Sequence, residues 1–233
     1  MPIPELMAGW QRFRGGRFRE QRELIDRITR EGQQPRVLMI ACCDSRVDPA
    51  ILFDCDPGDI FVVRNVANLV PPYEETGRYH GTSAALEFAV VVLGVQHVVV
   101  LGHSQCGGIG ALMRGDGETT PPMRFLPLWV ALGQEARTVA LAASGLEPAA
   151  RVDLCSRLAI RLSLRNLMTF RGVRDRVEKG RLQLHGWFVD VRQGELSMLD
   201  EAVGRFVPLG CGAPGGPGDR GVGGDAAPQA AGS

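Results

Sequence analysis

Several things are scarce in this chain, and each scarcity removes a class of function. Positive charge is not in surplus: Lys+Arg and Asp+Glu both number 26 in 233 residues. The cationic excess that a general nucleic-acid binder needs to meet phosphates is therefore missing, as is the polybasic patch of a membrane-surface protein. Lysine is reduced to Lys179, and arginine supplies every other cation. With Ala, Gly and Pro plentiful, this reads as genomic bias rather than function. No apolar run reaches the roughly 18 residues of a membrane span; the longest stretch, around 84–101, is broken by Glu87, Gln96 and His97. The basic-then-apolar order of a signal peptide is also lacking, since Trp10 to Arg30 is dense in Arg and Glu. The expected location is the cytoplasm, where six cysteines are read as thiols or metal ligands rather than disulfides. No Cys-x-x-Cys occurs, which excludes that dithiol redox motif.

What remains is an ordinary globular composition, 45% hydrophobic and 22% charged, long enough for one sizeable domain. Residues 1–34 carry a helical apolar stripe through Leu6, Trp10, Phe13, Phe18, Leu24, Ile25 and Ile28, interrupted at Gly15-Gly16. Such an arm can pack on its own domain or on a partner subunit. Residues 35–207 form the expected main domain. Its strands are the apolar runs 36–42, 60–63 and 98–101, with a helix over 82–93 stopped by Gly94 and helical patterns across 123–144 and 150–171. Two late strands, 182–189 and 195–199, flank a turn at Gln193-Gly194. Uninterrupted apolar strands alternating with helices predict an α/β fold: a central, mainly parallel β-sheet flanked by helices. Residues 208–233 are too rich in Gly, Pro and Ala to offset chain entropy by burial, and the expectation there is disorder.

Two polar clusters follow apolar strands, where open α/β sheets build their sites. The first is Cys42-Cys43-Asp44-Ser45-Arg46 and the second His103-Ser104-Gln105-Cys106, with Gly107-Gly108 behind it. Neighbouring parallel strands would bring the two tips together. Cys42, His103 and Cys106 would then offer two thiolates and an imidazole, a set that suits tetrahedral Zn²⁺ and leaves a fourth position free, as in catalytic zinc sites. Taken singly, the cysteines could be small buried hydrophobes and His103 a hydrogen-bonded core histidine. Asp44 and Arg46, two apart, can point to one side as a carboxylate–guanidinium pair that orients a water, or form a plain turn ion pair. Asp48-Pro49 reads as a helix start. A phosphate-cradling thiol site is disfavoured, because neither Cys42 to Arg46 nor Cys106 to Arg114 has its spacing.

These motifs resemble the β-class carbonic anhydrases. The resemblance rests on Cys42-x-Asp44-Ser45-Arg46, on His103-x-x-Cys106-Gly-Gly, and on Phe61-Val-Val-Arg-Asn-Val-Ala-Asn-Leu-Val-Pro-Pro72 between them. It continues through His80-Gly-Thr-Ser-Ala-Ala-Leu-Glu87 to His185-Gly-Trp187, spanning roughly 30–200. It implies that Cys42, His103 and Cys106 bind one Zn²⁺ per subunit, that Asp44 and Arg46 are the catalytic pair, and that Gln33, Phe61, Val66 and Phe88 line the substrate cleft. Phe88 stands where plant members carry a tyrosine. It further implies reversible hydration of CO2 to bicarbonate and a proton by zinc-bound hydroxide. A homodimer or dimer-based higher oligomer follows, with the N-terminal arm embracing the partner, and neither nucleic acid nor membrane as partner. Met39 and Ala41 replace the tryptophan region of the self-closing members, so the permanently accessible kind is expected. A carbonyl sulfide or carbon disulfide hydrolase on the same scaffold, and a non-catalytic zinc-binding protein, are the competing readings. Cys43, Cys55, Cys155 and Cys211 have no assigned role.

Overall fold

The computed structural model describes residues 1–75, 80–115 and 123–209. Of the tail 208–233, expected to be disordered, Pro208 instead closes the last strand, and residues from 210 onward lie outside the described residues. So do residues 76–79 and 116–122.

The N-terminal stripe forms three helices, α1 (Ile3–Gly15), α2 (Arg17–Glu20) and α3 (Arg22–Glu31), with Gly16 as the break between the first two. None of the three buries a residue completely. Then come β1 (Val37–Cys42), a short α4 (Pro49–Leu52), β2 (Ile60–Asn65), a 3₁₀ turn at Val66–Asn68, and α5 (Gly81–Glu87) running into a π-helical turn at Phe88–Leu93. β3 (His97–His103) leads to α6 (Gly107–Arg114), α7 (Phe125–Val130), α8 (Gln134–Ala142), the long α9 (Pro148–Leu167) and α10 (Arg171–Glu178). β4 (Gln183–Asp190), β5 (Glu195–Asp200) and β6 (Arg205–Pro208) complete the chain. The helix read over 82–93 thus changes pitch at Phe88, and α10 and β6 were not legible as separate elements.

The six strands form one sheet in the order β2-β1-β3-β4-β5-β6. The first four run parallel and the last two antiparallel, so the expected α/β sheet is mainly parallel with an antiparallel extension. β1 and β3 are apolar throughout their interiors because helices or loops cover both faces. On one face Leu38, Ile40, Val98, Val100 and Phe188 pack against Ile160, Leu164 and the α5 residue Leu86. On the other lie Met39, Ala41, Val99, Leu101 and Val189. Two glycines let α9 approach the sheet closely: a Cβ on Gly102 would come 2.7 Å from Ile160 Cδ1, and one on Gly186 2.8 Å from Ile160 Cγ2.

The chain leaves β1 toward β2 on one side and returns to β3 on the other. The β1/β3 carboxyl ends are therefore the topological switch point, the crevice where open α/β sheets hold ligands. Among the described residues no helix is long and apolar enough to cross a membrane.

Candidate metal centre

Cys42 ends β1 and His103 ends β3, so both side chains arrive at that crevice on rigid elements. Cys106 follows three residues later, immediately before α6. The intervening turn needs Gln105 in the left-handed region, at φ 51°. The close approach behind Cys106 needs Gly108, where a Cβ would lie 2.6 Å from Val66 Cγ1. The two glycines of the sequence motif thus have different fates, since a Cβ on Gly107 would meet nothing.

One ligand atom each from Cys42, His103 and Cys106 falls within 4.8 Å of the others, and all three residues are buried. The two sulfurs are 3.8 Å apart. His103 Nδ1 faces the Ser104 carbonyl oxygen at 2.9 Å; a carbonyl can only accept, so Nδ1 carries the proton. Nε2 is then the basic nitrogen. It is buried, in a residue with 0% exposure, and has no hydrogen-bond partner among the described residues. An orphaned buried acceptor between two sulfurs is costly unless something binds there. The thiols point the same way. The hydrogen bond between the two sulfurs lowers the Cys42 pKa and, together with burial, raises that of Cys106. This buried S, N, S donor set therefore fits a divalent, borderline-soft metal.

Beside the cluster, Asp44 and Arg46 form a two-pronged pair. Arg46 Nε donates to Asp44 Oδ1 at 2.9 Å and Nη2 to Oδ2 at 2.7 Å, with the Arg46 backbone N–H adding a third bond at 3.0 Å. The Arg46 side chain, and then its backbone N–H, hold the Asp44 carboxyl well below the usual carboxylate range despite a burial penalty. Asp44 Oδ2 lies 4.0 Å from His103 Nε2, so the carboxylate borders the cluster that could hold a metal.

Arg64 was not singled out from the sequence, yet it braces this whole turn. Its Nε donates to the Cys42 carbonyl (3.0 Å), Nη2 to the Asp44 carbonyl (2.7 Å) and Nη1 to Asp48 Oδ2 (2.6 Å). Asp48 also caps α4 through the Ala50 N–H, as Asp48-Pro49 suggested. Arg64 follows the apolar run 60–63, and its partners lie up to 22 residues away, so its bracing role was not legible. Asp153, on α9, takes the Gln105 N–H at 2.7 Å; a lone acid on a helix gave no signal.

The cleft residues divide. Val66 stands at the mouth beside Gly108, partly exposed, with its carbonyl accepting from Trp129 Nε1 at 2.7 Å. Phe61 pairs in register with Leu38, four residues before Cys42 on β1, and stacks against Phe88 with ring centroids 5.8 Å apart. Gln33 is exposed just beyond α3. Within one chain, Phe61, Phe88 and Gln33 are not gathered around the Cys–His–Cys cluster.

The arrangement agrees with known proteins. Residues 37–196 match the family model described as carbonic anhydrase. A carbonic anhydrase from Pseudomonas aeruginosa is 37% identical over 206 residues, covering 88% of this chain and 91% of that one. The solved β-carbonic anhydrase CcaA shares the fold with a TM-score of 0.81 at 33% identity, covering 88% of this chain and 98% of that one. A tetrameric β-carbonic anhydrase from Sordaria macrospora gives a TM-score of 0.72 at 28% identity, over 90% of this chain and 97% of that one. The parallel sheet, the switch-point crevice and these likenesses converge, and the chain belongs to the β-class carbonic anhydrase family.

Proposed function

We propose that this chain catalyses the reversible hydration of CO2 to bicarbonate and a proton, with Zn²⁺ held by Cys42, His103 and Cys106. The observation that carries the reading is the buried S, N, S cluster with an Asp–Arg pair at its edge. A site for metal storage alone would have no use for that pair. Zinc, when bound, supplies the Lewis acidity that makes water a nucleophile near neutral pH.

The residues divide the remaining work. Arg46 keeps Asp44 ionised and fixes its plane. Asp44 is an acceptor only, so it orients the attacking water by taking one of its hydrogen bonds. Arg46 also reaches the Gln105 carbonyl at 3.3 Å, tying the pair to the second cluster. Val66 presents an apolar wall to CO2, which has no hydrogen to donate and gains from a dry surface. Because Asp44 stays on Arg46, the reading is the accessible kind, with Asp44 not closing onto the metal. A low-pH crystal with Asp44 ligating zinc would overturn that part.

Phe61, Phe88 and Gln33 join the cleft, in this reading, from a second subunit. Support comes from apolar surface that one chain leaves open: Leu6, Met7 and Trp10 on α1, and Phe88, Val91 and Val92 in the π-helical turn after α5. The unit is then a homodimer or a higher assembly of dimers, with residues 1–34 as the pairing arm and 35–207 as the catalytic domain. Light scattering on the full chain tests it, and a monomer at micromolar concentration contradicts it.

Stopped-flow CO2 hydration by zinc-loaded protein tests the function itself. Turnover with CO2 far above that with carbonyl sulfide is the expected result. Zinc uptake without CO2 turnover would reject the proposal.

A further inference from the structure

The peptide group joining Ser104 to Gln105 is engaged at both ends. Its carbonyl accepts the Nδ1–H of His103 at 2.9 Å. Its N–H donates to Oδ1 of Asp153, one layer out on α9, at 2.7 Å. A carboxylate on the N–H side of an amide polarises it and strengthens its oxygen as an acceptor. The backbone here is held from several directions, as left-handed geometry at a non-glycine residue requires. Beyond Gln105, at φ 51°, the next carbonyl takes Arg46 Nη2 at 3.3 Å, and Ser156, also on α9, donates to the His103 carbonyl at 3.2 Å.

We infer that Asp153 is a positioning residue for His103: through the Ser104–Gln105 peptide, its carboxylate fixes the imidazole in the Nδ1–H form and aims Nε2 at the two thiols. Metal-ligating histidines commonly donate their second N–H to a carboxylate or a carbonyl. Here the two are used in series. Arg157, one turn along α9, balances the charge: burial lowers its pKa while Asp153 and Asp190 pull the other way, and its guanidinium lies 3.8 Å above the Phe188 ring. The inference rests on the zinc reading above.

The test uses the full chain as wild type, Asp153→Asn and Asp153→Ala. Asp153→Asn keeps the shape and an acceptor for the Gln105 N–H but removes the charge. Zinc affinity is measured by competition with a chromophoric chelator, and the His103 Nδ1–H proton resonance is followed by NMR in zinc-free and zinc-loaded protein. Asp153→Ala is expected to weaken zinc by about 10–100-fold, the range for groups behind metal ligands. Asp153→Asn is expected to fall between it and wild type, with the Nδ1–H resonance moving upfield. Zinc affinity within about twofold of wild type in Asp153→Asn, or an unmoved resonance, overturns the inference. Wild type that binds no zinc would sink the functional reading instead, and the zinc-free resonance would still decide this one.

Discussion

Arg46 grips Asp44 with two nearly parallel hydrogen bonds, 2.9 and 2.7 Å long, across a separation of only two residues. The carboxylate therefore stays charged in acid. Its folded pKa is depressed below 3.8, so the stabilisation it supplies is complete above the ordinary aspartate pKa and is lost only as pH falls through the folded value. Any activity limb near neutral pH must arise from another group. Asp44→Asn should retain zinc in elemental analysis but lose about 10²–10⁴-fold in kcat, the range for a positioned proton acceptor. Full turnover in this variant would remove Asp44 from the mechanism.

Much of this site was legible in the sequence because it is built from strand ends. An apolar run followed by a polar cluster marks the carboxyl edge of a parallel strand, and two such clusters gave Cys42, Asp44, Arg46, His103 and Cys106 together. The supporting partners were not legible, since Arg64 reaches Asp44 and Asp153 reaches Gln105 across 20 and 48 residues. Periodicity also failed where it had little to work with. In α10 only Val173 and Val177 are apolar among mostly charged neighbours, and β6 is a four-residue edge strand ending in proline. The change of pitch at Phe88 was hidden because Val90-Val91-Val92 continues the apolar pattern while its β-branched side chains crowd an α-helical turn.

The three ligand positions should fail together and their neighbour should not. Cys42→Ser, His103→Ala and Cys106→Ser each remove one donor from a three-donor set, so zinc content and CO2 hydration should fall in step. Cys43 is exposed, and Cys43→Ser should keep both. Zinc stoichiometry measured beside stopped-flow rates checks this; a Cys106→Ser protein with normal zinc and activity would mean the cluster is not the metal site.

Gly186 faces Ile160, Leu164 and Leu199, whose nearest atoms would lie 2.8, 3.1 and 3.3 Å from an added Cβ. Ile160 cannot retreat easily, because it is fully buried and also abuts Gly102. Gly186→Ala should cost about 1–3 kcal/mol by overpacking, and the double variant with Ile160→Val should recover part of that loss. Urea denaturation of the zinc-loaded protein measures both. An unchanged midpoint in Gly186→Ala would show that α9 can shift away from β4.

At the opposite end of the sheet from the Cys–His–Cys cluster, His185 Nε2 and His97 Nδ1 stand 3.2 Å apart. Burial, and then His97, lower the His185 pKa below 6.5, against a smaller opposing pull from Glu201. Unfolded chains then bind more protons at this residue than folded ones between the folded pKa and 6.5, so stability must rise with pH across that window and decline as pH falls through it. His185→Gln removes the titration while leaving a polar group of similar reach. Its Tm, followed from about pH 5 to 7.5, should depend less on pH than that of wild type. If the two proteins lose stability in parallel as pH falls, proton uptake at His185 is not what weakens the fold.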